Sequence, residues 1–271
     1  MADDTGTVNQ RVEGEMTLME HLTELRQRIV KSAIAIVVGA VGCLVFYDRI
    51  FDFLIDPYCK ALEELDSETA LLDECVLVLR EPLEGFSLVL TVAGYGGLMI
   101  AMPIILWQLW QFVVPGLYPH EKRWAIPFVF SGAVLFFFGS GLAYWSIPRA
   151  LDFLLNIAGP DIAPFLGPGP YLSFLIKMLV AFGLGFQFPL ILILLQLIGV
   201  VTVAQLRSGR RYAIVGIVVL VAVLTPSGDP ITLMVLSVPM YIFYEAAIIW
   251  GWLRARSKKK KKSKKKTVPV K

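Results

Sequence analysis

The sequence predicts an all-α membrane protein with six transmembrane helices. Of its 271 residues, 56% are hydrophobic, and the mean hydropathy of +0.68 is far above that of an ordinary soluble domain. Charged residues are few inside the long apolar runs and dense between them, which is typical of a polytopic helical protein. The first 28 residues are polar and hold no apolar core of a cleavable signal peptide, so we expect the protein's own helices to retain it in the membrane.

Six apolar runs approach the length of about 20 residues that a transmembrane helix needs. They are residues 29–47, 86–114, 125–147, 170–198, 212–225 and 231–252. The fifth run is short, and the segment Pro226-Ser227-Gly228-Asp229-Pro230 after it has the composition of a turn. The last two runs therefore predict a tight, shallow hairpin.

Prolines and glycines inside the runs predict a curved scaffold with close helix approaches. Each proline removes a backbone donor and bends its helix, and each glycine lets two backbones approach. The prolines are Pro103, Pro127, Pro189 and Pro239. Glycine and proline are also common in membrane helices generally, so this prediction concerns shape rather than function.

The placement of basic residues predicts the orientation. Arginine and lysine precede the first run, separate the second from the third and the fourth from the fifth, and fill the tail, whereas residues 48–85 are strongly acidic. Since basic residues favour the cytoplasmic side, we expect both termini in the cytoplasm and the acidic loop outside. The first two external loops are long enough for short helical caps.

The expected organisation has three parts. Residues 1–15 are predicted to be a disordered N-terminus, and residues 16–254 form the six-helix transmembrane domain with an N-terminal surface helix. Residues 255–271 are predicted to be a disordered, lysine-rich cytoplasmic tail. The tail lacks interleaved aromatic residues, so contact with anionic lipid, or a role as a solvated topology anchor, is favoured over nucleic-acid binding.

Two short clusters of acidic and basic residues are the strongest candidates for a binding site. Residues 21–28 (HLTELRQR) precede the first run, and residues 115–123 (PGLYPHEKR) lie between the second and third. Their carboxylates, Glu24 and Glu121, are each able to receive a guanidinium in a bidentate, charge-assisted pair. On spacing alone, however, Glu24 forms an ordinary helix ion pair with Arg28 at i+4.

Polar residues inside the apolar runs are further candidates, because such groups are costly in a bilayer. Gln187 is more typical of a helix–helix hydrogen bond, whereas Glu245 requires a partner or a proton. Thr225 marks the outer end of the hairpin, where its hydroxyl can also bond back to its own helix. Lys177 lies in the outer half of the fourth run, where snorkelling is expected.

Cysteines, histidines and sequence motifs predict no catalytic, metal or cofactor site, and we expect no enzyme activity. Cys59 and Cys75 both lie in the first external loop, where a disulfide is favoured over two free thiols because that side is oxidising in bacteria. His21 and His120 are far apart in sequence, and no metal-ligand spacing, phosphate loop or nucleophile motif is found. Cys43, inside the first run, is predicted to be inert packing.

Nine segments along almost the full length of the chain match the motifs of one known family. They are His21–Arg28, Gln108–Tyr118, His120–Arg123, Phe138–Tyr144, Tyr171–Phe174, Phe182–Pro189, Arg210–Tyr212, Leu224–Pro226 and Tyr244–Glu245. Each segment is weak alone. Together, in this order and on six spans, they resemble TatC, the multispanning subunit of the twin-arginine protein translocase.

The resemblance implies a receptor and assembly core for the export of folded proteins. It implies that Glu24 and Glu121, with Phe112 beside them, bind the consecutive arginines of signal peptides at the cytoplasmic face of a prokaryotic plasma membrane. It also implies docking of single-span TatA/TatB-type subunits, self-association within the complex, no nucleotide site, and transport driven by the proton-motive force.

The chain departs from the family at one position. The family usually has a glutamate before the proline of the fourth span, where this chain has Gln187. We expect Gln187 to dock a partner helix by hydrogen bonding alone. Thr225 lies where the resemblance places contacts between the last hairpin and partner helices.

Two other classes of protein compete with this interpretation. An ion-coupled small-molecule transporter using Glu245 and Lys177 predicts a polar site at the midplane and usually an internal repeat, and the sequence shows no such repeat. A lipid-modifying enzyme requires histidine or aspartate clusters at the interface, and none is found in the sequence.

Overall fold

The fold is known from a computed structural model, which describes residues 18–64, 81–113, 125–157, 167–225 and 229–266. Within these ranges all regular structure is helical. The helices are α1 (Leu18–Val45), α2 (Tyr47–Glu64), α3 (Glu84–Val113), α4 (Ala125–Asn156), α5 (Pro168–Gly185), α6 (Phe188–Leu197), α7 (Val203–Ser208), α8 (Arg210–Leu224) and α9 (Pro230–Lys266). The predicted all-α fold class is therefore confirmed.

Five helical stretches of the described chain are long and apolar enough to cross a membrane. They are α1, α3, α4, α5 together with α6, and α9. The fifth predicted span corresponds to α8, whose 15 residues reach only about 22 Å at 1.5 Å per residue, against about 30 Å of hydrocarbon. It packs against α9 in the hairpin of a multi-pass membrane protein, but only α8 is short, because α9 is long enough to cross the bilayer.

Consecutive spans run in opposite directions and so define two faces. We call the end of the bundle where α1 begins the N-terminal face; α3 ends there, and α8 begins there. On the opposite face, α2 is a helical cap of the kind predicted for the loop after the first span. The hairpin turns at that face too, where Asp229 accepts a 2.7 Å hydrogen bond from the backbone of Thr232 and so caps α9.

Three boundaries differ from those predicted. The predicted surface helix is the beginning of α1, because residues 18–38 contain no proline or glycine to interrupt it. Helix α4 extends beyond residue 147 to Asn156 and accommodates Pro148 internally. The tail predicted to be disordered from residue 255 is helical as far as Lys266.

Helix α1 joins the bundle almost entirely through α3. Only 11% of the apolar stretch of α1 is buried inside the protein, against 61% of the apolar stretch of the span formed by α5 and α6. The two helices approach closely at a pair of glycines: a Cβ on Gly39 would lie 2.9 Å from the Gly97 carbonyl oxygen, and one on Gly97 would lie 2.5 Å from the Ile36 carbonyl oxygen. This crossing fixes the position of α1, and with it the cluster at residues 21–28.

Helices α4 and α5 form the centre of the bundle through a second close approach. A Cβ on Gly139 would lie 2.7 Å from the Phe182 carbonyl oxygen, and one on Gly183 would lie 2.6 Å from the Phe136 ring. Ser140 donates a 3.1 Å hydrogen bond to the carbonyl of Leu179. Small residues here allow the backbone contact that drives helix packing in a membrane.

Two tyrosines hold the cap helix α2 on the bundle. Pro57 lies inside α2 and has no N–H, so the carbonyl of Phe53, four residues earlier, loses its helical donor. The hydroxyl of Tyr144 donates to that carbonyl at 2.7 Å, and Tyr171 donates to the carbonyl of Leu54 at 2.9 Å. The position of α2 therefore depends on hydroxyl groups that α4 and α5 donate to its backbone.

Replacing Tyr144 with phenylalanine should loosen α2. The stacked ring contact with Phe53 remains, but the exposed hydrogen bond to the Phe53 carbonyl is lost, which typically costs about 0.5–1.5 kcal/mol. Faster amide hydrogen exchange in α2 of the detergent-solubilised protein measures the effect. Tyr212→Phe is the control, because Tyr212 is 82% exposed, and unchanged exchange in Tyr144→Phe would contradict this account.

Candidate functional site

The start of α1 and the end of α3 meet at the N-terminal face around one arginine. Arg28 Nη2 lies 2.7 Å from Glu24 Oε1, one turn earlier on α1. Arg28 Nη1 donates to Gln108 Oε1 at 3.1 Å and also to Gln111 Oε1, both on α3. The ion pair expected from the i+4 spacing is thus present, and it forms part of a bridge between two helices.

This bridge leaves one oxygen of Glu24 without a hydrogen-bond partner. Glu24 Oε2 and Arg28 Nε are both buried and unpartnered, although each side chain as a whole is 20% exposed. An unpartnered buried acceptor costs about 1–3 kcal/mol, and more when it is charged. The second oxygen of this carboxylate is therefore unsatisfied within the protein itself.

An aromatic pair lies next to the carboxylate. The rings of His21 and Phe112 stack with their centroids 4.3 Å apart and their planes at 20°. His21 is one turn before Glu24 on α1, and Phe112 directly follows Gln111 on α3. The stacking therefore holds Phe112 against α1 one turn before Glu24, and its part in a binding site stays a prediction.

A shallow groove of about 500 Å³ opens over this corner. Its lining carries two carboxylates and two cationic side chains on one face of α1. The lining residues are Met19, Glu20, Thr23, Glu24, Gln27, Arg28 and Lys31. Glu24 therefore lies in the wall of a groove that is open to solvent.

Glu121 lies outside the described residues. It belongs to the connection 114–124, which leaves the end of α3 and enters α4 at Ala125. The expectation that Glu121 acts together with Glu24 therefore stays a prediction.

A second charged cluster lies on the same face, between α8 and α9. Glu245 Oε2 is 2.7 Å from Arg210 Nη2, and its other oxygen accepts a 3.2 Å hydrogen bond from the Tyr241 hydroxyl. The Tyr244 hydroxyl donates to the carbonyl of Leu206 at 2.6 Å. The partner that the sequence requires for Glu245 is thus Arg210, at the start of the preceding helix.

Gln187 lies at the break between α5 and α6 and is buried. Its Nε2 donates to the carbonyl of Gly132 in α4 at 2.9 Å, so the amide already makes a contact within the protein. Thr225 Oγ1 donates to the Val221 carbonyl at 2.9 Å, the bond to its own helix that the sequence left open as an alternative. Neither residue lies with Glu24.

The remaining candidates are Lys177 and the cysteines, and none of those that the structure describes lies in the groove at the start of α1. Lys177 is exposed on α5, and Cys43 is buried with a free thiol. Cys59 is disulfide-bonded, but Cys75 lies outside the described residues, so the pairing of these two cysteines stays a prediction. Among the described residues, no group of three or more His, Cys, Asp or Glu side chains is placed to hold a metal ion.

Sequence reasoning missed the partners that hold Arg28 and Glu245. Gln108 and Gln111 are three residues apart, so they share one face of α3. That spacing indicates only a polar face, and nothing in it shows that Arg28 is the neighbour. Arg210 was recognised as part of a basic connection but not as the ion-pair partner of Glu245.

A helical multi-pass membrane protein with a charged groove at one membrane face is the class that this fold and site define. Residues 20–239 match the model of the family described as "Sec-independent protein translocase protein (TatC)". The chain belongs to the TatC family, as the sequence motifs predicted.

Two relatives and one solved structure support the same family assignment. The TatC protein of Frankia casuarinae is 39% identical over 246 residues, covering 90% of this chain and 68% of that protein. The Aquifex aeolicus protein is 36% identical, covering 90% of this chain and 98% of its own length. A crystal structure of the twin arginine translocase receptor TatC matches with a TM-score of 0.68 at 36% identity, over 86% of this chain and 99% of that one.

Proposed function

We propose that this protein is the receptor and assembly core of a twin-arginine protein translocase, and that Glu24 binds one arginine of the signal peptide. The observation that carries the proposal is the Glu24 carboxylate, which lines the groove at the start of α1, is 20% exposed as a side chain and has one oxygen without a hydrogen-bond partner. The protein itself leaves the second oxygen of this carboxylate unsatisfied, so a ligand donor that reaches it would bind favourably. Relatives that share the fold include a structure described as the twin arginine translocase receptor.

Arginine fits this groove better than lysine. A guanidinium presents a planar fork of N–H donors that matches a carboxylate, whereas an ammonium is a single point donor. The second arginine of the motif is assigned to Glu121, in the connection between α3 and α4. Phe112, held by His21, forms an apolar wall for the residues beside the arginines.

The charge distribution favours a cytoplasmic location for this groove. The N-terminal face carries Arg26, Arg28 and Lys31 on α1, and Arg207, Arg210 and Arg211 around the start of α8. Basic residues are retained on the cytoplasmic side. Both termini then lie in the cytoplasm of a prokaryotic cell, and the α2 cap faces outward.

Single-span subunits of the TatA/TatB type are proposed to dock on the apolar surface of the spans. The hairpin of α8 and α9 exposes large apolar side chains such as Val215, Val223 and Met234. Thr225 and Gln187 are the polar groups assigned to this docking; both are buried in the free protein, so a partner helix must first displace the contacts that cover them. Other copies of this subunit complete the complex, which exports folded cargo and is driven by the proton-motive force.

Crosslinking of a signal peptide tests the receptor role. Peptides with Arg-Arg or Lys-Lys are compared on membranes containing the wild-type protein or the Glu24→Ala/Glu121→Ala variant. Crosslinking that depends on arginine and is lost in the double variant is the expected result. Crosslinking indifferent to both changes would return Glu24 to a structural ion pair and overturn the proposal.

Gln187→Leu tests the docking role of Gln187. Because the amide nitrogen of Gln187 already bonds to Gly132, a partner helix must use its oxygen or displace that bond. We expect crosslinking to the single-span partner to fall severalfold. Gln196→Leu is the matched control, because Gln196 also donates to a backbone carbonyl, that of Ala247 at 3.2 Å, and is not proposed to dock. Unchanged partner crosslinking and export in Gln187→Leu would reject the docking role.

A further inference from the structure

In the free protein the guanidinium of Arg28 already contacts Glu24, the carboxylate assigned to the ligand. It uses one terminal nitrogen for Glu24 Oε1, and the other serves Gln108 and Gln111 of α3. Its contacts with α3 do not depend on Glu24. If Arg28 released Glu24, both glutamine contacts would remain within reach of the same Nη1 atom.

We propose that Arg28 sets the preference of this site for arginine over lysine, holding one oxygen of Glu24 until a ligand guanidinium displaces it onto the two glutamines. This inference rests on the proposed function. It assigns Arg28 the role of a positioning residue that acts through Glu24. Gln108 and Gln111 are the acceptors that retain the displaced side chain.

The selectivity follows because a ligand arginine replaces the guanidinium of Arg28 with another guanidinium. A ligand arginine replaces the Arg28 contact with an equivalent one and gains the unpartnered Oε2, so the exchange is favourable. A ligand lysine brings a single donor, which can replace Arg28 on Oε1 but leaves the buried Oε2 unpartnered, so its exchange is less favourable. Arg28 therefore weakens lysine binding more than arginine binding.

The neutral variant Arg28→Gln provides the test. The full-length protein in lipid nanodiscs is titrated with labelled Arg-Arg and Lys-Lys signal peptides, and the ratio of the two dissociation constants is measured by fluorescence anisotropy. We expect Arg28→Gln to lower this ratio about three- to tenfold, chiefly through tighter Lys-Lys binding, since charge-assisted contacts have energies of this order.

Two further variants complete the design. Arg211→Gln removes the same charge from an exposed position of the same face and should leave the ratio unchanged. Arg28→Lys keeps the charge, but its single nitrogen cannot span Glu24 and both glutamines, so the ratio should fall about two- to threefold. This variant supplies the measurement if Arg28→Gln fails to accumulate.

The outcomes separate this inference from the proposed function. If the wild-type protein binds both peptides equally, the receptor proposal itself fails. If the wild-type protein discriminates and the Arg28 variants keep its ratio, only the role of Arg28 is wrong. An equal fall in Arg211→Gln would show an effect of bulk charge and would also overturn it.

Discussion

Replacing Gly97 with leucine is expected to detach α1 from α3 and to abolish the site at the N-terminal face. A Cβ at this position would lie 2.5 Å from the Ile36 carbonyl oxygen and 2.6 Å from the Ala40 nitrogen. Both are backbone atoms, so no side-chain rotation relieves the clash. Since α1 has little other attachment to the bundle, the helix must move away, and Arg28 then loses Gln108 and Gln111.

Disulfide crosslinking between cysteines introduced on facing positions of α1 and α3 measures the separation. Export should fall to background in the same cells. Gly94→Leu is the control, because Gly94 lies on the same helix, is exposed, and a Cβ there meets nothing within 4 Å. Normal crosslinking and export in Gly97→Leu would contradict the close crossing.

Gly139→Leu is expected to disrupt the centre of the bundle. A Cβ there would lie 2.7 Å from the Phe182 carbonyl oxygen and 2.9 Å from the Phe186 ring. Overpacking of a core costs about 1–3 kcal/mol, and more where backbone must move. Separation of α4 from α5 also breaks the hydrogen bond from Gln187 to Gly132, so the break between α5 and α6 loses its support.

Protease resistance of the membrane-embedded protein, and its level at steady state, measure this loss. Gly141→Leu serves as the control two residues away, because Gly141 is exposed and a Cβ there meets nothing within 4 Å. The account predicts degradation of Gly139→Leu and normal levels of Gly141→Leu. Equal stability of the two variants would show that the α4–α5 approach is not required.

The apolar runs predicted the helices well because in a bilayer each span must satisfy its backbone internally. The short fifth span was visible from its length and from the turn after it. The surface helix is not a separate element, because it continues into the first span as α1. Hydropathy rises where the chain enters the membrane, but a helix ends there only if a residue such as proline or glycine interrupts it. The continuation of α4 past Pro148 was missed because a proline is more often a boundary than an internal residue.

The candidate site was predictable in part. The motif at residues 21–28 identified Glu24, and the i+4 spacing identified its ion pair with Arg28. The bridge to Gln108 and Gln111 is a contact between residues 80 and 83 positions apart, which depends on the glycine crossing of α1 and α3. A single sequence contains no direct signal for that pairing. The same is true of Arg210 and Glu245, which are 35 positions apart.

The chain's glutamine at position 187 has a structural explanation. A neutral amide can donate to the Gly132 carbonyl, whereas an ionised carboxylate has no donor for that oxygen. The residue therefore connects α4 to the break between α5 and α6 without a charge in the bundle. Whether a partner helix also uses Gln187 is the question that the Gln187→Leu variant answers.

The central claim is that Glu24 directly contacts an arginine of the signal peptide. A double-mutant cycle tests it most directly, combining Glu24→Gln in the full-length protein with replacement of each signal-peptide arginine by glutamine in turn. Binding affinities in nanodiscs should give a coupling energy of about 1.5–3 kcal/mol for one of the two arginines, as expected for a charge-assisted pair. Additive losses for both arginines, with no coupling to Glu24, would contradict the account.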